Sequence, residues 1–344
     1  MVCKILLHII NTDNRIYGKV HMDDNIIFAY SFDGKGGATP ITGENIVAET
    51  KSKKLSWVHL DANQPETRQW IKKEVSYLDS LTIEALLAEE TRPRMTQIDD
   101  GVILILRGVN LNENSDPEDM VSIRLWIDKH RIISVRKRKL KAVLDIEEKI
   151  KAGKGPKDAG HFICMLVARL FERMEPVLTE LDDSTDDIEE KVLENADAAL
   201  RGSIIDVRKK AIVFRRYMAP QRDAVGQLRM SDVNWLNDTD KRHLQESYNH
   251  ITRYVEDLDA IRERAQIVKD ELANILSDRL NKNMYVLSVI AAIFLPLGFL
   301  TGLLGINVGG IPGAENNSAF MMFSGMLLAL VITQVAIFKK LKWF

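Results

Sequence analysis

Residues Asn281–Gly313 read NKNMYVLSVIAAIFLPLGFLTGLLGINVGGIPG. Met284–Leu304 within this stretch carries no charged residue, and Ala319–Phe338 downstream repeats the pattern. A helix rises about 1.5 Å per residue, so each run covers roughly 30 Å, the hydrocarbon thickness of a bilayer. Between Asn283 and Phe338 the one charge is Glu315, whereas the chain upstream is densely charged. A mean hydropathy of −0.12 conceals this division. The reading is a two-helix transmembrane hairpin at residues 283–344, its spans joined by a loop at 305–318.

Flanking charge orients the hairpin. Arg279 and Lys282 precede the first span, Lys339, Lys340 and Lys342 follow the second, and the loop has neither Lys nor Arg. The positive-inside rule then predicts both termini in the cytosol and the loop on the periplasmic side of a bacterial-type inner membrane. Trp343 and Phe344 stand where interfacial aromatic anchors belong. The first span carries Ser288, Pro296, Gly298, Thr301 and Gly302. Pro296 removes a backbone hydrogen bond and predicts a kink or a loosened ladder. Gly298 and Gly302 form a GxxxG spacing that lets backbones approach. Two readings stay open: simple helix packing, or small and polar residues facing a water-filled path. Two helices enclose nothing, so a path requires several chains around an axis. The second span reads as a plain lipid-facing helix.

Upstream of the hairpin the sequence predicts one continuous helix from about residue 240 into the bilayer, with no Gly or Pro between Arg242 and Leu295. Leu258, Ile261, Ala265, Val268, Leu272 and Ile275 recur at heptad spacing, the pattern of a stalk. Past Arg279 the seam loosens, and Asn281, Met284, Leu287, Ala291, Leu295, Gly298 and Gly302 share one face.

Elsewhere the 344 residues hold a near-neutral net charge of −2, which gives no footprint for nucleic acid. Cys3 and Cys164 are scattered thiols, suited to a reducing compartment and not to a disulfide framework. The apolar run Ile5–Ile10 is too short to span a membrane and reads as a strand. Strands are expected at Asn25–Phe32, Lys54–Leu60, Val102–Val109, Val121–Ile127 and Arg131–Val135, with helices at Pro65–Val75, Leu81–Glu89 and Leu140–Ala152. The whole is α+β: an α/β domain at 1–152, a long-helix region at 153–282 after the breaker Gly153-Lys154-Gly155-Pro156, and the hairpin.

Gly305-Ile306-Asn307, followed by Val308-Gly309-Gly310-Ile311-Pro312-Gly313 at the end of a proline-bearing span, resembles the signature turn of the CorA superfamily of divalent-cation transporters. The Gly-Ile-Asn variant with its Gly-Gly-x-Pro-Gly tail is similar to the ZntB-like zinc-transporter branch. Glu89-Glu90-x-Arg92-Pro93-Arg94 with Asp99-Asp100, and Phe214-Arg215-Arg216-Tyr217-x-x-Pro220-Gln221-Arg222, resemble cytosolic segments of the same family. The resemblance implies a funnel-shaped homopentamer with an axial pore lined by the first span and the second span on the lipid side. It gives Asn307 the ring at the periplasmic mouth and the Asn281–Gly302 series the pore wall. The transported ion is then Zn²⁺, with Co²⁺, Ni²⁺ and Mg²⁺ as further candidates and protons as a candidate coupling ion. No cofactor is implied.

Neither span contains His, Cys, Asp or Glu. A dehydrated zinc ion prefers nitrogen and sulfur ligands, so the cation is expected to pass largely hydrated, held by neutral oxygens. Any proton coupling is expected to lie outside the spans, for want of a titrating group within them. Glu315 repeated around an axis would draw cations to the outer mouth; alone it is a solvated loop residue. The acidic stretch Thr179–Glu194 is either a solvated helix face or a diffuse attractor for cations. His161 and Cys164 at i, i+3 can both reach one zinc ion, although no third ligand is visible; Asp257 and Asp278 are candidates for bridging subunits through a divalent ion. A magnesium/cobalt channel of the same superfamily and a dimeric two-span sensor without ion flux are the alternatives. No P-loop, GxSxG, HExxH or dinucleotide fingerprint is present, so no enzyme is expected.

Overall fold

The computed structural model describes residues 25–75, 78–89, 91–305, 313 and 316–341. The strand expected at Ile5–Ile10, together with Cys3, Glu90, Ile306, Asn307, Glu315 and Lys342–Phe344, lies outside them. The chain divides into two compact units: Met1–Glu194 with Ala199–Lys269, and Asn195–Ala198 with Asp270–Phe344.

Among the described residues of the first unit seven strands form one mixed sheet: β1 (Ile26–Phe32), β2 (Ala38–Pro40), β3 (Ser56–Asp61), β4 (Arg94–Ile98), β5 (Gly101–Gly108), β6 (Val121–Ile127) and β7 (Arg131–Arg136). Their order is β2-β1-β3-β7-β6-β5-β4. Only β3 and β7 run parallel, from Ser56↔Arg131 to Asp61↔Arg136; every other neighbour is antiparallel. The five strands read from the sequence are present. β2 and β4 were not expected, and both are edge strands. Such strands carry little apolar signal, and Arg94, Thr96 and Gln97 of β4 are exposed. Ile98 pairs with Gly101 across a two-residue turn in which Asp99 takes a left-handed conformation (φ 49°), one of the few residue types that tolerate it.

The central strands are buried on both faces, which is why GVILILRG reads as a continuous apolar run rather than an alternating one. One face, with Val58, Leu60, Ile103, Ile105, Trp126, Ile133 and Val135, packs on α1 (Asn45–Thr50), α2 (Pro65–Glu74) and α3 (Ser80–Leu87) through Ile46, Ile71, Ile83 and Leu86. Short α1 was not expected. The other face packs on α5 (Ala159–Glu172), which follows α4 (Lys141–Lys151); Trp57 and Phe162 meet edge to face with centroids 4.8 Å apart. Pro65 opens α2, and the Asp79 and Asp158 carboxylates accept from Thr82 N (2.8 Å) and His161 N (2.7 Å) to cap α3 and α5.

Long helices complete the chain: α6 (Glu175–Asn195), α7 (Leu200–Met230), α8 (Asp238–Gly305) and α9 (Ala319–Lys340). A reciprocal cap starts α8. Asn237 Oδ1 accepts from Asp240 N (3.0 Å), while Asp240 Oδ2 accepts from Asn237 N (3.2 Å). As predicted, α8 runs unbroken into the apolar span, and it passes through Pro296. The family-like segment of α7 is a structural lock. Gln221 Oε1 accepts from Arg107 N of β5 at 2.6 Å, the Arg107 guanidinium lies 4.2 Å from the Tyr217 ring centroid, and Arg215 pairs with Asp259 at 2.6 Å.

Candidate functional site

In the first unit the heptad seam of α8 is consumed within one chain. Leu258, Ile261, Ala265 and Val268 are buried, and Ala265 and Val268 face Thr185 and Ile188 of α6 and Ile204 and Val207 of α7. The stalk is therefore a packed intrachain bundle along this length, because a long amphipathic stripe buries itself against whichever apolar stripes its own chain folds beside it. Leu272 is buried and Ile275 half-buried, so the seam fades after them.

Extended by sevens, the seam reaches Val289, the buried hydrophobic of the first span among the described residues. Ala292, Ile293, Leu297 and Leu300 on the same side are half-buried. The residues expected to line a path lie two positions on, about 200° round the helix. Asn281, Met284, Leu287, Leu295, Gly298 and Gly302 are exposed there, and Ala291 is half-buried. Gly298 also borders an open groove between the spans with Phe294, Leu297, Thr301 and, from α9, Ser324, Leu327, Leu328 and Val331. Gly305 ends α8; its signature partners Ile306 and Asn307, and Glu315 beyond them, are outside the described residues.

The hydroxyls of the span turn inward on their own helix. Ser288 Oγ donates to Met284 O (2.8 Å), and Thr301 Oγ1 is within reach of Leu297 O (2.9 Å) and Gly298 O (3.1 Å). Back-bonding of this kind satisfies a hydroxyl in lipid and bends the helix slightly. No described residue of the second span is buried, in keeping with a lipid-facing helix, yet the span makes a polar contact that the sequence reading did not foresee. Gln334 of α9 donates from Nε2 to Ala292 O of α8 at 3.4 Å. Nothing in its apolar surroundings announced it, and a single amide in a span was the signal that could have found it.

Two of the candidate metal residues, His161 and Cys164, line a cavity of about 360 Å³ in the first unit. His161 and Cys164 of α5 share its wall with His243, Glu246 and His250 of α8, residues 80 or so positions away in the chain. Helix packing thus gathers three imidazoles that the sequence left apart. Both original candidates are already engaged. The Cys164 thiol donates to Asp240 O at 3.5 Å, and burial pushes it up to about 12, so it is protonated at neutral pH. His161 Nδ1 accepts from Lys157 N at 3.2 Å. Among the described residues no three His, Cys, Asp or Glu side chains converge to hold a metal ion. Asp257 and Asp278 are exposed. Burial and the nearby acidic side chains raise Asp257, against the lowering effect of Arg253.

The acidic face of α6 is clasped. Arg264 of α8 reaches Asp186 Oδ1, Glu189 Oε2 (2.7 Å) and Asp182 Oδ1 (3.2 Å), and the Asp186 and Glu189 carboxylates hold its guanidinium above the ordinary arginine range. Part of the acidic stretch therefore bridges helices, while Glu190 and Glu194 remain on the exposed face.

Comparison with known proteins adds to this geometry. A family model described as CorA-like Mg2+ transporter protein matches residues 52–340. The zinc transport protein ZntB of Pectobacterium carotovorum subsp. carotovorum is 37% identical over 326 residues, 95% of this chain and 98% of that protein. The divalent cation transporter CmaX of Pseudomonas aeruginosa is 36% identical over 322 residues, 92% of this chain and 96% of that one. The solved structure of full-length CmaX superposes with a TM-score of 0.81 at 36% identity, covering 93% of this chain and 98% of its own.

Proposed function

The chain belongs to the family of CorA-like Mg2+ transporter proteins, and from that premise we propose that it carries divalent cations, zinc foremost, across a bacterial inner membrane. The cations pass along the face of α8 that runs from Asn281 to Gly302. One observation carries this reading: that face is uncharged and, apart from half-buried Ala291 and Gly298 at the edge of the groove beside α9, stands exposed, whereas the opposite side of the same span holds buried Val289 and its half-buried neighbours. Several copies around an axis close the path, five by likeness to the family, with both termini cytosolic.

The chemistry follows from what the wall lacks. Without His, Cys, Asp or Glu in either span, a cation keeps most of its water and is held weakly enough to leave. By likeness to the family Asn307 supplies the ring at the outer mouth, and Glu315, repeated around the axis, adds negative potential that draws cations to that mouth. No residue has a role in bond-making chemistry.

The test is zinc flux into proteoliposomes under imposed pH and voltage gradients, with cobalt, nickel and magnesium run beside it and Asn307→Ala as the control. Zinc entry that falls in the variant is the expected result. Wild-type vesicles tight to zinc but permeable to magnesium would assign the chain to a magnesium/cobalt channel. A dimer without flux of any cation would establish the sensor reading instead.

A further inference from the structure

Proline has no N–H, so Pro296 cannot make the bond that would run back to the carbonyl of Ala292, and its ring pushes that carbonyl outward. At bilayer depth no water stands in, and an unpaired carbonyl is costly there. The missing donor comes from the other span. Gln334 Nε2 of α9 donates to the Ala292 oxygen, at the long end of hydrogen-bonding distance, 3.4 Å. The carbonyl it meets is the one that Pro296 frees.

Among the described residues the amide has no competing attachment. Gln334 Oε1 is buried without a partner, so the bond to Ala292 alone orients the group; the flipped amide would set oxygen against oxygen. Its neighbours in α9 are differently employed. Thr333 Oγ1 donates within its own helix to Ala329 O at 2.8 Å. Gln334 is the one side-chain amide between Ala319 and Lys340. Beyond the proline joint, α8 carries Gly298 and Gly302 and ends at Gly305, where the signature turn begins.

We infer that Gln334 is a positioning residue for transport: by pairing with the carbonyl that Pro296 orphans, it holds the joint in α8 and sets how Leu297–Gly305 stands along the path. This rests on α8 lining the path. Gln334 does not itself face that path, so its loss changes the maximal rate of transport and leaves the zinc concentration at half-maximal rate in place.

A mutant cycle tests it, since Pro296→Ala returns an N–H to position 296 and lets α8 satisfy Ala292 by itself. Wild type, Gln334→Leu, Pro296→Ala and the double variant are reconstituted as full chains and assayed for zinc flux. Gln334→Leu alone is expected to lower the maximal rate by about three- to fifteen-fold, the range that interhelical hydrogen bonds in membranes span. In the Pro296→Ala background the same change is expected to cost less than about two-fold. An equal loss in both backgrounds, no loss in either, or a shift confined to the half-maximal concentration would overturn the proposal. If Pro296→Ala abolishes flux, thermal unfolding of the four proteins in detergent decides: Gln334→Leu must lower the midpoint only where Pro296 is present, and parallel drops refute the pairing. Wild-type vesicles tight to every divalent cation would defeat the transport reading and this role with it, while the unfolding cycle would still report on the contact itself.

Discussion

Lowering the pH from 7 to about 5 should weaken the cytosolic sheet through one side chain, His59. It lies fully buried in β3, with its ring stacked on Phe28 (centroids 4.8 Å apart) and Nδ1 2.7 Å from Ser134 Oγ of β7. Ser134 Oγ also accepts from Trp57 Nε1 at 2.7 Å and lies 3.4 Å from Val58 O. The network closes best with His59 donating from Nδ1 and Ser134 donating to Val58 O, leaving Nε2 without a partner among the described residues. A proton added at Nε2 would be a buried, unpaired charge. Burial first, and repulsion from Arg136 second, therefore push the imidazole down from 6.5 to about 3. The unfolded chain binds this proton below about pH 6.5 and the folded chain does not until about pH 3. The neutral imidazole's contribution is thus complete above pH 6.5 and is lost as pH falls through that window, at about 1.4 kcal/mol per pH unit. Between pH 7 and 5 the loss is about 2 kcal/mol. Guanidinium unfolding of the full-length protein in detergent, followed by tryptophan fluorescence, measures the effect. His59→Gln keeps an amide beside Ser134 and removes the titration. Wild type should lose about 2 kcal/mol relative to that variant across the interval. Equal losses in both proteins would refute the reasoning.

Three further perturbations have expected outcomes. Leu258→Ala empties a fully buried position on the α8 seam and should cost about 2–5 kcal/mol in the same unfolding assay, whereas Ile275→Ala at the half-buried end of the seam should cost clearly less; equal costs would show that the seam does not fade. Arg264→Ala removes the clasp over Asp182, Asp186 and Glu189, but these groups are a third or more exposed, so the loss should be about 1 kcal/mol or less and should shrink as salt rises; a salt-independent loss would mean that packing of the arginine stem is what matters. Gly160→Ala would bring a methyl to 2.2 Å from Asp240 Oδ2 and 3.0 Å from Trp235 O, pressing on the cap that starts α8. Better helix propensity returns at most about 1 kcal/mol against an overpacking cost of about 1–3, so a lowered unfolding midpoint is expected and a raised one would contradict the packing.

The hairpin, its two spans and the strands β1, β3, β5, β6 and β7 were legible because each is a property of a short stretch of chain. An uncharged run long enough to cross a bilayer, or a strand apolar on both faces, announces itself within ten or twenty residues. β2 and β4 did not, since edge strands bury too little to leave a pattern. The resemblance carried by Gly305-Ile306-Asn307 pointed to the family that the comparisons then established.

The sequence alone thus determined what the membrane part is made of and which residues of α8 share a face. Tertiary structure decided what covers each face. Periodicity places Leu258 and Val268 on one stripe, but only folding shows that α6 and α7 of the same chain take up that stripe in the first unit. Spacing within α5 pairs His161 with Cys164, and only the packing of α8 beside α5 brings His243 and His250 to the same cavity while committing the thiol to Asp240. Pro296 says that a carbonyl is orphaned; that Gln334, 42 residues on, supplies its donor is a fact of two helices lying together. The physical reason is the same in each case. A repeat along a helix is fixed by local geometry, whereas the partner of a face is chosen by the whole chain as it buries apolar surface and satisfies its polar groups.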